Sequence, residues 1–192
     1  LNRLGAVAPG LGIVIASHHY QARDVASGAS SLLGDAPIVG FSTSAGLTGE
    51  GLHAHSVVVA VLSIEELAAS AHWLPGYAQS GRETAAQLEV LVSEKKSQNI
   101  LLFADGFNGD AEQLCNSLPV GTHRIAGGLS SGDLHTGNTF QIAGNQTGTG
   151  ALAAMAWLDW RLMLIVLALV PASVLIIWLY QRWSAPAVQR AR

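Results

Sequence analysis

The chain has 192 residues, enough for one sizeable core or for one domain with an appendage. A hydrophobic fraction of 49% against 12% charged is rich for a wholly water-exposed domain, and a net charge of −3 with no Lys/Arg cluster argues against a nucleic-acid partner. The single cysteine, Cys115, excludes an internal disulfide and a thiolate metal site, and it reads as a small core residue on a helix.

The first seventeen residues hold one early Arg and an apolar stretch, but Pro9, Gly10 and Gly12 interrupt it. Its end, "IVIASH" from Ile13 to His18, is better used as a strand than as an export signal. "ARDVASGASSLLGD" follows, with Asp and small polar residues opening a helix. Next, "IVGFSTSAGLTGEG" reads as a short strand running into a loop rich in Gly, Ser and Thr. "SVVVAVLS" is a continuous apolar run of strand length, which predicts a strand covered on both faces. "ASAHWLPGYAQSGRE" places Trp73 and Tyr77 around a Pro-Gly turn and reads as a surface loop whose aromatics pack over the sheet or a ligand. From Gly81 to Ser97, Ala85, Leu88, Leu91 and Val92 fall on one face of a covering helix.

The second half runs in the same order. An offset of 87 lays Ile13–His18 on "ILLFAD" (Ile100–Asp105) and Ile38-Val39-Gly40 on Ile125-Ala126-Gly127. Between these anchors "NGDAEQLCNSLPVG" matches the first helix, and "IAGGLSSGDLHTGN" matches the first glycine loop. "NTFQIAG" and "GTGALAAMAWL" follow as strands joined through the turn-rich "NQTG". The pattern is an internal duplication. It predicts an α/β (α+β) domain over residues 1–158, with two related strand-helix-strand-strand halves around mixed β-sheet.

Beyond it, "LMLIVLALVPASVLIIWLY" from Leu162 to Tyr180 carries no charge and is flanked by Trp157, Trp160, Trp178 and Trp183. Length and flanks predict one C-terminal transmembrane helix, 159–183 with its flanks, in which Pro171 is tolerated; a short basic tail, 184–192, closes the chain. Arg182, Arg190 and Arg192 would place that tail in the cytoplasm.

The glycine loops carry the candidate chemistry. A strand that stops in Gly-Phe-Ser-Thr-Ser leaves N–H groups without ladder partners, and glycine lets a ligand approach them. Hydroxyls at Ser42, Thr43 and Ser44 donate and accept beside those amides, a combination suited to a carboxylate, phosphate or carbonyl oxygen. The loops lack the phosphate-loop lysine and the G-x-S-x-G nucleophile pattern, so recognition is expected rather than bond-making; a hydrolase using Ser42 or Ser130 is the catalytic alternative. His53-x-His55 places two imidazoles on one face of an extended strand, while His18 and His19 point to opposite sides if the first strand continues. His18, as the expected counterpart of Asp105, stands at the mouth of the sheet. The expected ligand site joins His18, Gly40, Ser42, Thr43 and Ser44 to Asp105, Gly127, Gly128, Ser130 and Asp133, with no metal.

With "IVIASHHY", "PIVGFSTSAGLTGEG", "LLFADGF" and "IAGGLSSGD" in order, the chain resembles the N-terminal domain of the FIST sensory family. Phe41 stands where that family often has a small residue or Cys, and the resemblance ends near residue 158, before the C-terminal domain with which the family normally continues. A truncated or frameshifted gene product is therefore a further alternative. The resemblance implies a non-catalytic sensory or regulatory domain in signal transduction that binds an amino acid or related metabolite without a cofactor. One branch of the family senses nitric oxide through a histidine-bound haem, which makes His18, His53 or His55 the alternative haem ligand. The resemblance also favours a cytoplasmic sensory domain held at the membrane by the apolar span. It leaves the downstream signalling protein unnamed.

Overall fold

The computed structural model describes residues 8–48, 51–63, 68–95, 99–119, 121 and 123–157. The first half comprises β1 (Leu11–Ser17), α1 (Ala22–Leu33), β2 (Ile38–Thr43), β3 (Gly46–Thr48), β4 (Gly51–His53), β5 (Val57–Leu62) and β6 (Ala68–Leu74). Helix α2 (Gly81–Lys95) leads to β7 (Asn99–Asp105), α3 (Ala111–Ser117), β8 (Arg124–Ser130), β9 (Gln141–Ala143), β10 (Gln146–Gly148) and β11 (Ala151–Trp157).

The strands form a five-stranded sheet, β10-β9-β2-β1-β5, and a four-stranded sheet, β6-β11-β7-β8, with β3 and β4 as a separate hairpin. Alternation along each strand assigns its side chains to two faces. Leu11 and Val39 of the first sheet meet Leu152 and Ala154 of the second, with Phe41 stacked on Phe103 at 4.5 Å between ring centroids. The opposite face of the first sheet, through Val14, Ala16, Ile38 and Ile142, packs on Val25, Ala26, Ala29 and Leu33 of α1. On the far side of the second sheet, Ala151, Ala153 and Met155 pack on Ala85, Leu88 and Val92 of α2, and Leu114 of α3 joins the same core. Four layers result, helix, sheet, sheet, helix, with three apolar seams.

The duplication is visible in the pairing. In each half a strand-helix-strand unit makes a parallel pair (β1 with β2, β7 with β8), and an antiparallel strand (β5, β11) lies on the other side of the first member. Each half then lends to the other: β6 crosses to pair with β11, and β9 crosses to pair with β2. The strand-end hydrogen bonds Ser17 N–H to Ser56 O and Asp105 N–H to Gly150 O, both 2.8 Å, make Ser17 the counterpart of Asp105. His18 lies one residue further on.

The expected fold class needs correction. The halves build two packed sheets that exchange strands, because each short parallel pair buries both faces only when a second sheet covers one of them. No helix among the described residues is long and apolar enough to cross a membrane. The three described helices are amphipathic or short, and their apolar sides are used on the sheets. The run from Leu162 to Tyr180 falls outside the described residues.

Local readings also shift. Ala69–Leu74, read as the start of a surface loop around the Pro-Gly turn, belongs to the strand β6, held by antiparallel partners along all of β11. Tyr77 is buried and donates to the Asp105 carbonyl at 3.2 Å. The apolar β5 is an edge strand with one open face, and Cys115 is exposed on α3. Since Leu88 is fully buried between α2 and the second sheet, Leu88→Ala should cost about 2–5 kcal/mol of unfolding free energy, measurable by urea denaturation.

Candidate functional site

The two glycine loops meet. Ser42 sits in the last turn of the β2 ladder, fully buried; its Oγ donates to the Ser131 carbonyl at 2.9 Å and accepts from the Phe140 N–H at 3.0 Å. Ser131 N–H donates back to the Ser42 carbonyl at 3.0 Å. One step outward, Ser44 N–H donates to Ser131 Oγ at 3.2 Å and Ser44 Oγ donates to the Gly132 carbonyl at 2.8 Å. Thr43 Oγ1 turns the chain locally by donating to the Ala45 carbonyl at 2.8 Å. The N–H groups expected to be free for a ligand at Ser44 and Ser131 are thus spent on joining the two repeats.

Asp105 ends β7 inside the protein, with no exposed surface. Its carboxylate accepts from Phe107 N–H at 2.9 Å, Asn108 N–H at 3.1 Å, Asn108 Nδ2 at 3.0 Å and Thr139 Oγ1 at 2.6 Å. Ser130 Oγ, also buried, accepts from Gln141 Nε2 at 2.7 Å. Gly40 lies in the sheet, where a Cβ would press on the Val14 carbonyl, and Gly127 lies so close to β7 that a Cβ would collide with the Leu102 carbonyl. Gly128 borders open space. Ser42, Asp105, Ser130, Gly40 and Gly127 are therefore placed as framework, with Ser44 exposed and Asp133 and His18 half-buried at the rim.

At that rim the strand β1 ends at Ser17 and the chain turns, so His18 and His19 do not point apart; their rings lie tilted by 40° with centroids 4.0 Å apart. His55 closes on His19 edge-on at 4.4 Å. His18 N–H donates to the Thr43 carbonyl at 3.0 Å, and a Cβ on Gly132 would touch the His18 Cβ at 3.4 Å. Asp133 follows directly, its Oδ1 accepting from His135 N–H at 2.9 Å and its Oδ2 from Thr136 Oγ1 at 3.1 Å. The backbone bond from His135 is the main cause that holds the Asp133 carboxyl below its usual range, with Thr136 and nearby His135 and His18 acting in the same direction. Lost hydration, then the neighbouring His18 and His55 rings, lower the pKa of His19, against a smaller opposite pull from Asp133. His53 goes elsewhere, to Thr48 Oγ1 at 3.2 Å, so His53 and His55 do not act as a pair.

The arrangement fits recognition of a small polar molecule. The His18, His19 and His55 rings are packed on one another and rimmed by Ser, Thr, Gly and Asp. Among the described residues no group of three or more His, Cys, Asp or Glu is positioned to hold a metal ion. Ser42 and Ser130, the candidate nucleophiles, bond to Ser131 and Gln141 rather than to an imidazole. His19 does meet a hydroxyl, Ser17 Oγ at 3.0 Å, but Ser17 is fully buried at the strand end. The expected ligand site left out His19 and Ser131, and His55 entered only as an alternative haem ligand, since only the end of β1 and the crossing of the loops bring the three together; the adjacent histidine pair was the available signal.

Two outcomes follow from this geometry. Asp105→Ala would strand buried donors, including the Thr139 hydroxyl and the Asn108 side chain, and should cost at least about 3 kcal/mol in chemical denaturation. The lowered His19 pKa means that the unfolded chain binds the proton more readily, so this stabilisation is present above the ordinary value of 6.5 and fades as pH falls below it. The melting temperature should decline between about pH 7 and about pH 5, and His19→Asn should flatten that decline.

The profile of the FIST N domain matches residues 10–167, past residue 158, near which the resemblance was expected to end. Comparison with curated protein sequences gives no match. With most of its length matched, the chain belongs to the FIST N domain family, a family of sensory domains in signalling.

Proposed function

We propose that this FIST N domain senses a small zwitterionic metabolite, of the amino-acid class, at the seam between its two repeats, and that it does so without catalysis. The observation that supports the reading is the direct bonding of Ser44 to Ser131 and Gly132, which sets the Asp133 carboxylate beside His18 and the His19–His55 pair. Each Asp133 oxygen accepts one hydrogen bond and retains lone-pair capacity for a ligand ammonium. The imidazole N–H groups and the Ser131 hydroxyl, which only accepts from Ser44, are the matching donors for a carboxylate. Binding here would bridge segments from both halves, and a ligand that favours one setting of the loops thereby biases the sheet exchange behind them.

Isothermal calorimetry of the full chain against a panel of amino acids tests this. At least one should bind, and Asp133→Ala should weaken it roughly tenfold or more, because the loss of one charge-assisted bond is worth about 1.5–3 kcal/mol. The variant should remain folded, since Asp133 is half-buried and its carboxylate accepts bonds only within its own loop. Unchanged affinity in the variant would remove Asp133 from the site, and silence across the panel would remove the amino-acid class.

A further inference from the structure

The two halves differ most in what covers the antiparallel strand beside the parallel pair. Ala16 pairs with Val57 and Val14 with Val59 in the first half; Ala104 pairs with Ala151 and Leu102 with Ala153 in the second. Val57 and Val59 thus hold the positions of Ala151 and Ala153. The alanines have no exposed surface, because α2 lies on them. The valines are 44% and 37% exposed, on an edge strand.

Beside the open valines runs a groove of about 300 Å³, lined by Val14, Tyr20, Val25, Ala29 and Leu32 as well as Val57 and Val59, with Gly28 in its wall. Asp24 is its one charged lining residue among the described residues. The geometry points to this groove as the docking site of an amphipathic helix from a partner protein, a helix that presents small apolar residues to Val57, Val59 and Gly28 and a Lys or Arg to Asp24.

Five observations carry the choice of occupant. The covered half shows what fits: α2 lies against α3 and the register-equivalent strand, and it approaches α3 through a glycine, Gly81, where a Cβ would press on the Asp110 carbonyl and Leu114 N at 2.7 Å. The open half has the same device on the other helix. Gly28 stands in the middle of α1, where glycine weakens a helix by about 1 kcal/mol relative to alanine, yet no described residue lies within 4 Å of its Cβ position. Valine protrudes further than alanine, so the arriving helix must be smaller at the contact than α2 with its Leu88. Charge complementarity fixes the remaining feature, a cation at the Asp24 end. The exposed apolar groups, mainly Tyr20, Leu32, Val57 and Val59, are too few to supply the roughly 800 Å² per partner of a stable dimer, which favours a single helix over a second copy.

The test uses the full chain and a lactam-bridged helical peptide with alanines on one face and one arginine, read by fluorescence anisotropy. Saturable binding is expected. Gly28→Leu fills the groove from open space and should keep or raise the melting temperature while weakening the peptide at least roughly tenfold. Asp24→Lys should weaken the arginine peptide by a similar factor and restore binding to a peptide with glutamate in its place. No saturable binding, or affinity indifferent to Gly28→Leu, overturns the proposal. So does a dimer in sedimentation velocity that Gly28→Leu converts to monomer, since the occupant would then be a second copy.

Discussion

Buried hydrogen bonds at the place where the second repeat crosses into the first sheet hold the whole architecture in one arrangement. Gln141 has no exposed surface; its Nε2 donates to Ser130 Oγ at 2.7 Å and its Oε1 accepts from Gly150 N–H at 2.7 Å. The residue belongs to β9 in the first sheet, while both partners flank strands of the second. Thr139 adds its bond to Asp105, and Phe140 exchanges bonds with Ser42 in both directions. An apolar seam alone would tolerate small slips between sheets. Buried polar groups do not, since each broken pair leaves a desolvated group that costs about 1–3 kcal/mol.

The site inherits its position from that crossing. Residues 131–138 are the chain's passage between the sheets, and they are pinned at Ser131 by Ser42 and at Asp133 by a bridge to Asn138. The adjacent β3–β4 hairpin is less tied down: Leu47 and Leu52 are largely exposed, so its opening should require less than global unfolding. A rigid floor of Ser42, Ser130 and Asp105 beneath a more lightly held rim is the arrangement a sensor needs, because only the rim has to respond to the ligand.

Duplication supplies the frame, and departures from it supply function. Ser17 and Asp105 occupy equivalent strand ends, yet Ser17 bonds His19 at the surface whereas Asp105 folds its own loop inward through Phe107 and Asn108. One hydroxyl in place of one carboxylate leaves the histidines at the rim in the first half. Likewise β5 and β11 are equivalent in register, but among the described helices one, α2, covers β11 and none covers β5 in the same way. Two copies of a motif need not carry the same side chains where they do not share a core.

The sequence by itself determined the strand-helix-strand units, the covering helix over Ala85, Leu88 and Val92, the repeat, and the family, because these rest on local periodicity, caps and ordered motifs. Asp110 even caps α3 as an opening Asp should, accepting from Gln113 N–H at 2.8 Å. Only the tertiary structure decided that β6 and β9 change sheets, that Tyr77 is core, that β5 keeps an open face, and that Asp105 and Ser42 face inward while Asp133 faces out. The reason is common to all of them. An alanine-rich stretch such as Ala68–Leu74 has little strand preference of its own, and a Ser or Asp at a strand end is chemically equal whether it meets water or a buried donor. What distinguishes those outcomes is the partner across the sheet, which lies many residues away and leaves no periodic trace in the neighbouring residues.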